Sequence, residues 1–589
     1  MAEKPLTQDD GLRPADGNIA VPGSGDTETP PLLSNAGIAD QLASLAQLLS
    51  TQKENRYKVK AYQRAAAKLR NMSESLQELV EDDADLTQYK GIGVAIASAI
   101  REIVQTGSLR KLETLRSQAT AEVASINNYP RLDPRRVKRI YKKLGISSVG
   151  ELRARLESGD IEKILGQRMA QHVRQGLTET HAMLLYRADD LAAAVGEFLL
   201  GACRVKRAEV AGDVRRRVEV IEDLDFVIET EDFPGVVARL QRYGGRTPLV
   251  SSAKDSAVFA LSSGVMLRIR LVGKNDWGLQ MAACTGSQAH LRKLTAVTGA
   301  LRGLKTAFPT EEAFYKHFGL GYIEPELRAG YDEVELAAKN ALPTLVTAGD
   351  IRGDLHAHST SSDGRDSIED MAEAARDRGY EYIGISDHSQ SLKIAGGVSE
   401  KDLWAQIKYI DKLNGRLRGF RILKSSEVDI LADGSLDYPD DLLRELDYTV
   451  CSIHSRFALN REQQTERLLR AMDNRYFNIL GHATGRLLLK RPGYEIDVGR
   501  VVEHARKSGC FFEINSSPDR LDLSAENARR AAEAGVRIAV STDSHSTGEL
   551  AIIRCGIDQA RRAGLEKITI LNCLPWQKLQ HLFARCHSL

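Results

Sequence analysis

Nine histidine, aspartate and glutamate residues recur between positions 350 and 589, each at the end of a short apolar run. They form the motifs HAH, SDH, SEVD, SIH, GHATG and TDSH, together with one aspartate after HAH, and they include six of the chain's thirteen histidines. One such histidine is usually a hydrogen-bonded core or surface residue, but repetition at nine positions favours metal binding. The candidate ligands are His356, His358, Asp363, His388, Glu427, His454, His482, Asp543 and His545.

Nine ligands exceed the needs of one metal ion. Sites with three or four ligands that share a carboxylate would use them to hold two or three divalent ions. The mixture of imidazole and carboxylate suits Mn, Zn or Fe better than Mg, which prefers oxygen ligands. Clustered ions point to chemistry on an anionic ester, because a bound ion lowers the pKa of water to about 7 and its neighbours neutralise phosphate oxygens.

A repeated β-α pattern must position these ligands. From Gly353 onward, seven apolar runs alternate with amphipathic stretches such as 367–378, 461–475, 498–508 and 524–534. Seven parallel strands with crossover helices predict a closed or nearly closed barrel, whose strand ends open onto one face. The predicted strands are GDLHAH, YIGISDH, ILKSSEVDI, YTVCSIH, NILGHAT, CFFEINS and RIAVSTDSH.

The first third of the chain carries a second kind of motif. Amphipathic helical spacing begins near Asn35, and the stretch YKGIGV at 89–94 lies between helical patterns. Gly91 and Gly93 flank one apolar residue, which is typical of a helix-hairpin-helix turn that brings backbone N–H groups close to a phosphate. A plain helix–helix turn would look similar. The basic run at 131–143 is a further candidate for phosphate contact or a solvated helix face.

Length and composition limit the remaining interpretations. A chain of 589 residues predicts three to five domains at roughly 100–200 residues each. A content of 42% hydrophobic and 27% charged residues excludes a mainly disordered or collagen-like protein. The net charge of +1 means that nucleic-acid binding depends on local patches. Seven scattered cysteines and no apolar run of membrane-spanning length predict a cytoplasmic protein without a membrane partner.

The nine-ligand pattern resembles the PHP (polymerase and histidinol phosphatase) domain at every position. That resemblance implies that His356, His358, Glu427 and Asp543 hold one metal and are catalytic. It implies that Glu427 also bridges to a second metal held by His454 and His482. A third metal would lie between Asp363, His388 and His545. Arg486 and Lys393 are candidate phosphate contacts, and a surface role is the alternative for each.

The order of the other segments resembles a bacterial family-X DNA polymerase. The stretch AGDVRRRVEVIEDLDFVIE at 211–229 is similar to the palm motif of that family, in which Asp223 and Asp225 match the metal-binding acid pair. Thr285-Gly286-Ser287 and the segment at 321–328 match its nucleotide-side and thumb signatures. The resemblance implies a multidomain α and α/β protein with a helical helix-hairpin-helix domain, an α+β nucleotidyltransferase-like palm and a (β/α)7-type PHP barrel. The expected divisions are a disordered tail at 1–35, a DNA-binding domain at 36–120, a fingers-like region at 121–187, the palm at 188–285, a thumb-like region at 286–345 and the barrel at 350–589.

Departures from the polymerase pattern fall on residues that carry its chemistry. Asp213 stands where the family has a serine that touches the triphosphate, and Glu222 replaces a glycine. Arg268 aligns with the third metal-binding aspartate, and a cation cannot ligate Mg. Ala283-Cys284 replaces an aromatic pair. The second hairpin at 130–134 lacks glycines, and the Schiff-base lysine of the lyase-type domain aligns with Ala99.

These features predict a DNA-repair protein whose PHP barrel is a metal-dependent 3′-5′ exonuclease or 3′-end phosphoesterase. Gapped or 3′-ended duplex DNA is the expected partner, and polymerase activity is expected to be lost or weak. The first alternative is an active gap-filling DNA polymerase that uses Asp223 and Asp225 with Mg at the palm. A DNA-end-binding scaffold without catalysis and a small-molecule phosphatase are the other two. The helical region counts against the phosphatase, which has no need of it.

Overall fold

The computed structural model describes residues 34–586 apart from 52–55, 71, 113, 115–133, 147–148, 168, 171–172, 174–181, 262 and 302–305. The tail predicted at 1–35 lies outside the described residues except for its last two positions, and residues 130–133 of the second hairpin also lie outside them. No helix in the described part of the chain has the length and apolar character needed to cross a membrane.

The amino-terminal helices form two small cores. The first core collects apolar residues at three- and four-residue spacing on the first helix, including Ile38, Leu42 and Leu45, and packs them against the next three helices. The second core surrounds Ile140 and Leu152. The helices are α1 Asn35–Thr51, α2 Arg56–Leu69, α3 Leu76–Glu81, α4 Val94–Thr106, α5 Pro134–Leu144, α6 Val149–Glu157 and α7 Asp160–Leu165.

The middle of the chain is a mixed sheet flanked by helices. Five strands pair in the order β2-β4-β7-β6-β5, and only the β4–β7 pair is parallel. Two further short strands, β1 and β3, pair with each other. The elements are β1 Met183–Leu184, α8 Leu185–Gly201, β2 Arg207–Val210, α9 Gly212–Arg215, β3 Val220–Ile221, β4 Asp223–Glu229, α10 Phe233–Leu240, β5 Leu249–Ser252, β6 Ser256–Ala260, β7 Met266–Leu271, α11 Trp277–Thr285, α12 Gln288–Thr298, α13 Glu311–His317 and α14 Glu333–Ala338.

The carboxyl-terminal region is a ring of parallel strands covered by helices. Its elements are β8 Gly353–Ala357, α15 Ile368–Asp377, β9 Tyr382–Ile385, α16 Glu400–Asn414, β10 Arg421–Lys424, β11 Glu427–Asp429, α17 Asp440–Leu443, β12 Val450–Ser452, α18 Arg461–Met472, β13 Ile479–Leu480, α19 Val498–Ser508, β14 Phe511–Asn515, α20 Ala525–Glu533, β15 Ile538–Ser541, α21 Ile553–Arg562 and α22 Trp576–Cys586.

Seven strand positions close this ring. The short strands β10 and β11 are consecutive, and they pair with β9 and β12 respectively, so that they act as one bent strand. The remaining strands follow in chain order to β15. The Asp543 N–H donates to the His356 carbonyl at 2.8 Å and the His358 N–H donates to the Ser544 carbonyl at 2.8 Å, which joins the last strand to the first. The seven predicted strands and the multidomain α and α/β architecture are thereby confirmed.

Ion pairs join the mixed sheet to the barrel. Arg217, in the segment between α9 and β3, lies between Asp189 on α8 at 2.5 Å and Asp558 on α21 at 2.7 Å. Glu219 in the same segment receives Arg486 from the loop after β13 at 2.7 Å. All five of these charged side chains are less than a quarter exposed, so the pairs are partly shielded from water and form a defined contact.

Candidate metal centre

The barrel brings all nine predicted ligands to one end. His356 lies near the end of β8, Glu427 opens β11, and the other seven follow the carboxyl ends of their strands, where side chains from neighbouring strands converge. His356 and His358 are fully buried, and Glu427 is 1% exposed, whereas the side chain of Asp363 is 35% exposed. The arrangement is therefore a bowl with a buried floor and a more open rim, and the described chain holds three overlapping clusters of possible ligands.

The first cluster contains His356, His358, Glu427 and Asp543. The Nε2 atom of His358 lies 3.0 Å from Asp543 Oδ1 and 3.6 Å from Glu427 Oε2. The Nε2 atom of His356 lies 3.5 Å from Glu427 Oε2 and 3.7 Å from Asp543 Oδ1. Ligand atoms about 2.1 Å from one ion in a tetrahedral site are roughly 3.4 Å apart, so these spacings fit one metal.

The second cluster contains His358, Asp363, His388 and His545. Asp363 Oδ1 lies 3.2 Å from His545 Nε2, 3.6 Å from His388 Nε2 and 3.9 Å from His358 Nδ1. This set contains the three ligands that the resemblance implied for a third metal. It adds His358, which presents its two ring nitrogens to two different clusters.

The third cluster differs in one member from the set that the resemblance implied. It contains His388, Glu427 and His454, with His388 Nδ1 2.8 Å from Glu427 Oε2 and His454 Nε2 3.3 Å from Glu427 Oε1. His482 is adjacent, since its Nε2 lies 2.9 Å from Glu427 Oε1. The loop after β9 thus brings His388 beside the shared carboxylate, and Glu427 contacts every cluster except the one at the rim.

Buried acids behind the bowl orient the imidazoles. Glu513 in β14 lies 2.7 Å from His356 Nδ1, and Asp429 in β11 lies 2.8 Å from His454 Nδ1. Asn515 donates to both Glu513 and Asp543 at 3.2 and 3.0 Å. A carboxylate on the far ring nitrogen fixes the tautomer and raises the basicity of the ligating nitrogen. Sequence reasoning did not single out Glu513, although an acid inside the apolar run FFEIN was a signal of it.

The charges in the bowl shift several pKa values. Burial opposes protonation of His356, but Glu513, Glu427 and Asp543 outweigh it and raise its pKa well above the usual range. Burial likewise opposes protonation of His454, yet Glu427 and Asp429 raise its pKa to about 9. Burial would raise the pKa of Glu427, but the surrounding histidines hold it well below its usual range. These pKa directions favour protonated His356 and His454 beside an ionised Glu427 when no metal is bound, and metal binding would release those protons.

Unpartnered nitrogen atoms provide a test of whether metal ions fit. His356 Nε2 and His358 Nδ1 are buried, belong to the first and second clusters, and make no hydrogen bond among the described residues. Buried polar atoms are normally paired, so two such imidazole nitrogens in neighbouring clusters indicate a missing partner. A divalent cation supplies one, because neutral imidazole nitrogen is a good ligand for Zn, Mn and Fe.

The acid pair of the mixed sheet has a cation in front of it. Asp223 and Asp225 lie on β4, and the parallel register places Arg268 of β7 directly beside Asp225. The Arg268 guanidinium lies 2.8 Å from Asp223 Oδ2 and 3.9 Å from Asp225 Oδ1. Burial raises the pKa of Asp225 to about 6, with Arg268 opposing that rise and Asp223 adding to it. Asp213, the other acid at this site, pairs with Arg216.

The neighbouring polymerase-like motifs are engaged in internal hydrogen bonds. Arg215 donates to Thr285 Oγ1 at 2.9 Å, and the Ser287 hydroxyl caps α12 by accepting from the His290 N–H. The buried Arg328 pairs with Glu311 at 2.5 Å. These motif residues therefore make contacts that stabilise the fold of the mixed-sheet region.

The glycine turn of the helical region is open to solvent. Gly91 has a φ of 92°, which favours glycine, and Gly93 is the residue that precedes α4. No atom lies within 4 Å of a Cβ built on either glycine, so nothing in the described chain covers this turn. Val94, the first residue of α4, is 79% exposed. Ala99, by contrast, is buried in the helical core and presents no amine.

The two basic residues near the bowl have different surroundings. Arg486 pairs with Glu219 and also donates to the Arg520 carbonyl at 3.0 Å and to the Leu521 carbonyl. Its guanidinium is thus committed to protein acceptors, and we do not retain it as a phosphate contact. Lys393 is exposed, in the loop that follows His388.

Comparison with known proteins defines the class. Residues 34–109 match the family model described as "Helix-hairpin-helix domain", and residues 354–517 match the model described as "PHP domain". Over 565 residues the chain is 34% identical to "DNA polymerase/3'-5' exonuclease PolX" of Bacillus subtilis (strain 168), which covers 92% of this chain and 98% of that protein. The chain therefore has the organisation of a polymerase-type protein that carries a PHP domain.

Other relatives match about a third of the chain. Over 230 residues the chain is 29% identical to a probable phosphatase of Thermoanaerobacter sp. (strain X514), covering 37% of this chain and 89% of that protein. A probable phosphatase of Caldanaerobacter subterraneus subsp. tengcongensis is 32% identical over 204 residues, covering 33% of this chain and 75% of that protein. Since the PolX relative is matched along nearly its whole length, the chain belongs to the PolX family of family-X DNA polymerases with a PHP domain.

Proposed function

We propose that this chain is a metal-dependent 3′-5′ exonuclease or 3′-end phosphoesterase of DNA, and that its PHP barrel is the catalyst. The single observation that carries the proposal is the bowl, in which nine candidate ligands converge while the buried nitrogens His356 Nε2 and His358 Nδ1 make no hydrogen bond among the described residues. The proposed ligand set is His356, His358, Asp363, His388, Glu427, His454, His482, Asp543 and His545, with two or three Mn, Zn or Fe ions bound.

The chain's own residues would prepare the bowl for a phosphodiester. Glu513 and Asp429 hold His356 and His454 with their free nitrogens toward Glu427. His358, His356, Glu427 and Asp543 form the most buried cluster, and their burial excludes bulk water from the reacting bond. Divalent ions bound in such a site lower the pKa of a coordinated water and neutralise charge on phosphate oxygens.

The helical region would deliver the DNA. The open turn at Gly91 and Gly93 lets a phosphate approach the amino end of α4, and the relative of matching length is named a DNA polymerase/3'-5' exonuclease. The proposal keeps the division into a DNA-binding domain at 36–120, a fingers-like region at 121–187, a palm at 188–285, a thumb-like region at 286–345 and the barrel. The six described cysteines form no disulfide, which supports a cytoplasmic location.

The palm is proposed to contribute shape and DNA contacts rather than nucleotide transfer. Catalysis there needs Asp223 and Asp225 to hold divalent ions, and the guanidinium of Arg268 already compensates their charge at 2.8 and 3.9 Å. A cation at that position competes with Mg for the same oxygens and repels it. This supports loss or weakening of polymerase activity while the fold persists.

The test is shortening of a 5′-labelled primer by the full-length chain, with Mg, Mn and Zn in turn, on a duplex with a one-nucleotide gap. We expect Mn-dependent loss of 3′ nucleotides, reduced about 100-fold or more in His356→Ala and in Asp543→Ala because each removes a ligand. Thermal melting shows whether the variants remain folded. Continued shortening by both folded variants at the parental rate would refute the proposal.

A matched control is available outside the bowl. His504 lies on α19 with its side chain 26% exposed and paired to Asp473. His504→Ala removes the same chemical group from the outer surface of the same barrel, and we expect it to leave nucleotide release unchanged. An aryl phosphate monoester run beside the primer distinguishes a small-molecule phosphatase, since such an enzyme would prefer the monoester and ignore competing duplex DNA.

A further inference from the structure

The loop after β9 presents one apolar side chain to solvent. Ile394 is 96% exposed, a higher value than that of any other large apolar side chain in the described part of the chain. It lies on a single helical turn, Lys393–Ala395, whose other apolar member, Ala395, is buried. Val398, at the end of the loop, is also buried. The loop therefore buries Ala395 and Val398, half-buries Leu392 and exposes Ile394.

This loop is held firmly. The Ser391 N–H donates to Asp437 Oδ2 at 2.7 Å, and Gln390 donates to the Asp437 carbonyl at 3.0 Å. A Cβ built on Gly397 would lie 2.1 Å from the Ser389 carbonyl oxygen, so the loop folds tightly back on itself. Such anchoring keeps Ile394 in one place although its side chain touches little of the protein.

The position of the loop is at the rim of the bowl. It begins at the candidate ligand His388, and the Val398 N–H returns to the His388 carbonyl at 2.8 Å. Ile394 is four positions before Val398, which limits the distance between their Cα atoms to about 14 Å. Gly396 packs near the Ser362 carbonyl, next to the candidate ligand Asp363, with 3.2 Å to a built Cβ. The distance from Ile394 to the candidate ligands is therefore about the length of one or two nucleotides of a strand.

The charge beside it is positive. Lys393 is exposed, so its ammonium group is available to an anionic strand. An apolar side chain next to a lysine at the rim of a phosphoester site matches a nucleic-acid strand, which offers apolar base faces next to phosphates. Proteins that distort nucleic acids insert isoleucine and similar side chains between bases in this way.

We propose that Ile394 is a wedge that packs against a base near the 3′ end and holds the terminal nucleotide out of the stack, while Lys393 contacts a neighbouring phosphate. The inference rests on the proposed exonuclease function and assigns it a substrate form, a 3′ end that is unpaired as it enters the bowl. The reason is burial: His356, His358 and Glu427 are at most 1% exposed, so a phosphodiester inside a continuous duplex cannot reach them.

The test compares Ile394→Ala with the parent chain on three substrates in Mn. These are a 5′-labelled primer with a paired 3′ end, the same primer with an unpaired 3′ end, and bis(p-nitrophenyl) phosphate, which has no base. We expect kcat/KM to fall about tenfold on the paired end and less on the unpaired end, with no change on the ester, because only the first substrate needs unstacking. Lys393→Gln is expected to raise KM for both primers and to reduce the salt dependence of binding by about one unit.

Ile568 supplies the matched control. It is 69% exposed, on a turn that precedes Ile570, whose partner Ile538 begins β15 at the opposite end of the barrel. Ile568→Ala should behave as the parent chain on all three substrates. If the Ile394→Ala variant hydrolyses the ester and both primers at the rates of the parent chain, the wedge is refuted while the exonuclease proposal stands.

Two other results would also refute the wedge. A parent chain that hydrolyses neither the ester nor the primers would refute the exonuclease proposal and the wedge with it. Unchanged primer kinetics together with a smaller assembly of Ile394→Ala in size-exclusion chromatography would show that Ile394 contacts protein, such as a second copy of the chain, rather than DNA.

Discussion

The barrel and the mixed sheet proposed as the palm both place carboxylates at the ends of strands, but they surround those acids differently. In the barrel, Glu427 and Asp543 lie among imidazoles, two of which have buried nitrogens without a hydrogen bond among the described residues. In the proposed palm, Asp223 and Asp225 lie beside a guanidinium that already balances their charge. A metal ion would complete the first arrangement and would compete with an arginine in the second. The comparison teaches that a fold persists after the charge balance of its site has changed, so that function must be argued from the site.

The support behind the two sites differs as well. Glu513 and Asp429 orient barrel histidines at 2.7 and 2.8 Å. Around the palm acids, the polar contacts serve the fold, as when Arg216 pairs with Asp213 and donates to the Thr285 carbonyl. Buried acids that fix the orientation of a histidine ring are typical of histidines that ligate a metal. This second difference separates a site prepared for metals from one that is merely acidic.

The largest expected effect comes from metal removal. A ligand that binds only the folded state stabilises it by about 2.7 kcal/mol when present at 100 times its Kd. We therefore expect chelation to lower the melting temperature of the barrel by about 5–10 °C, and Mn to restore it, as measured by scanning calorimetry. Mn is expected to stabilise the folded barrel because it gives buried imidazole nitrogens of the bowl a partner, which chelation takes away.

The comparison of sites decides what this melting experiment means. His356→Ala should abolish most of the Mn-dependent shift, whereas Asp223→Ala should leave it intact. An Mn-dependent shift that disappears in Asp223→Ala but persists in His356→Ala would reverse the assignment and place the metals in the palm.

A smaller loss is expected from Glu513→Gln. The amide keeps a hydrogen-bond acceptor near His356 Nδ1 but removes the negative charge that makes the opposite nitrogen more basic. Loss of such a partner typically lowers metal affinity or activity 10–100-fold, so we expect that range in Mn titrations of nucleotide release. Glu526→Gln, on the exposed face of α20 with its side chain 57% exposed, is the control and should change nothing. If Glu513→Gln and Glu526→Gln have the same Mn affinity and nucleotide release, Glu513 does not support the metal site.

The helical region provides the next prediction. Gly91 and Gly107 have φ values of 92° and 75°, and no atom lies within 4 Å of a Cβ built on either. Alanine at each position therefore carries a similar backbone strain of about 1 kcal/mol. If the turn at Gly91 receives a phosphate, Gly91→Ala should weaken duplex binding several-fold in fluorescence anisotropy while Gly107→Ala does not. Equal binding by both variants would reduce the turn to a plain helix–helix connection.

Much of the barrel was predictable from the sequence because its pattern is local. Six of the seven strands end in their own ligand motif, and parallel strands necessarily present those ends on one face, so His356 and Asp543 could be placed together although 187 positions separate them. The bent strand at 421–429 appeared as one apolar run and is two short strands that pair with different neighbours. The division of that run depends on barrel closure, which no local pattern encodes.

The partners of individual charges were not predictable in this way. Arg486 follows the GHATG motif and suggested a phosphate contact, yet its guanidinium pairs with Glu219, 267 positions earlier. Glu513 was hidden within a buried strand, where the sequence does not say which side chain it faces. His388 contacts Glu427 because the loop after β9 turns inward, a geometry that only the folded chain reveals. Pairings across domains depend on packing rather than on spacing along the chain.

The smallest effect is expected where the palm itself is changed. Asp225→Ala removes a carboxylate whose pKa is raised by burial to about 6 and which lies 3.9 Å from Arg268. Neither 3′ nucleotide release nor primer extension should therefore change measurably in gapped-duplex assays.

Arg268→Asp is the informative partner variant, since it removes the cation and leaves three acids side by side on β4 and β7. Two unit charges near 4 Å interact by about 4 kcal/mol at an effective dielectric of 20, so Mg should stabilise this variant and not the parent. Primer extension by the parent chain that Asp225→Ala abolishes would show instead that the palm binds its ions despite Arg268, and the contrast between the two sites would then be one of degree.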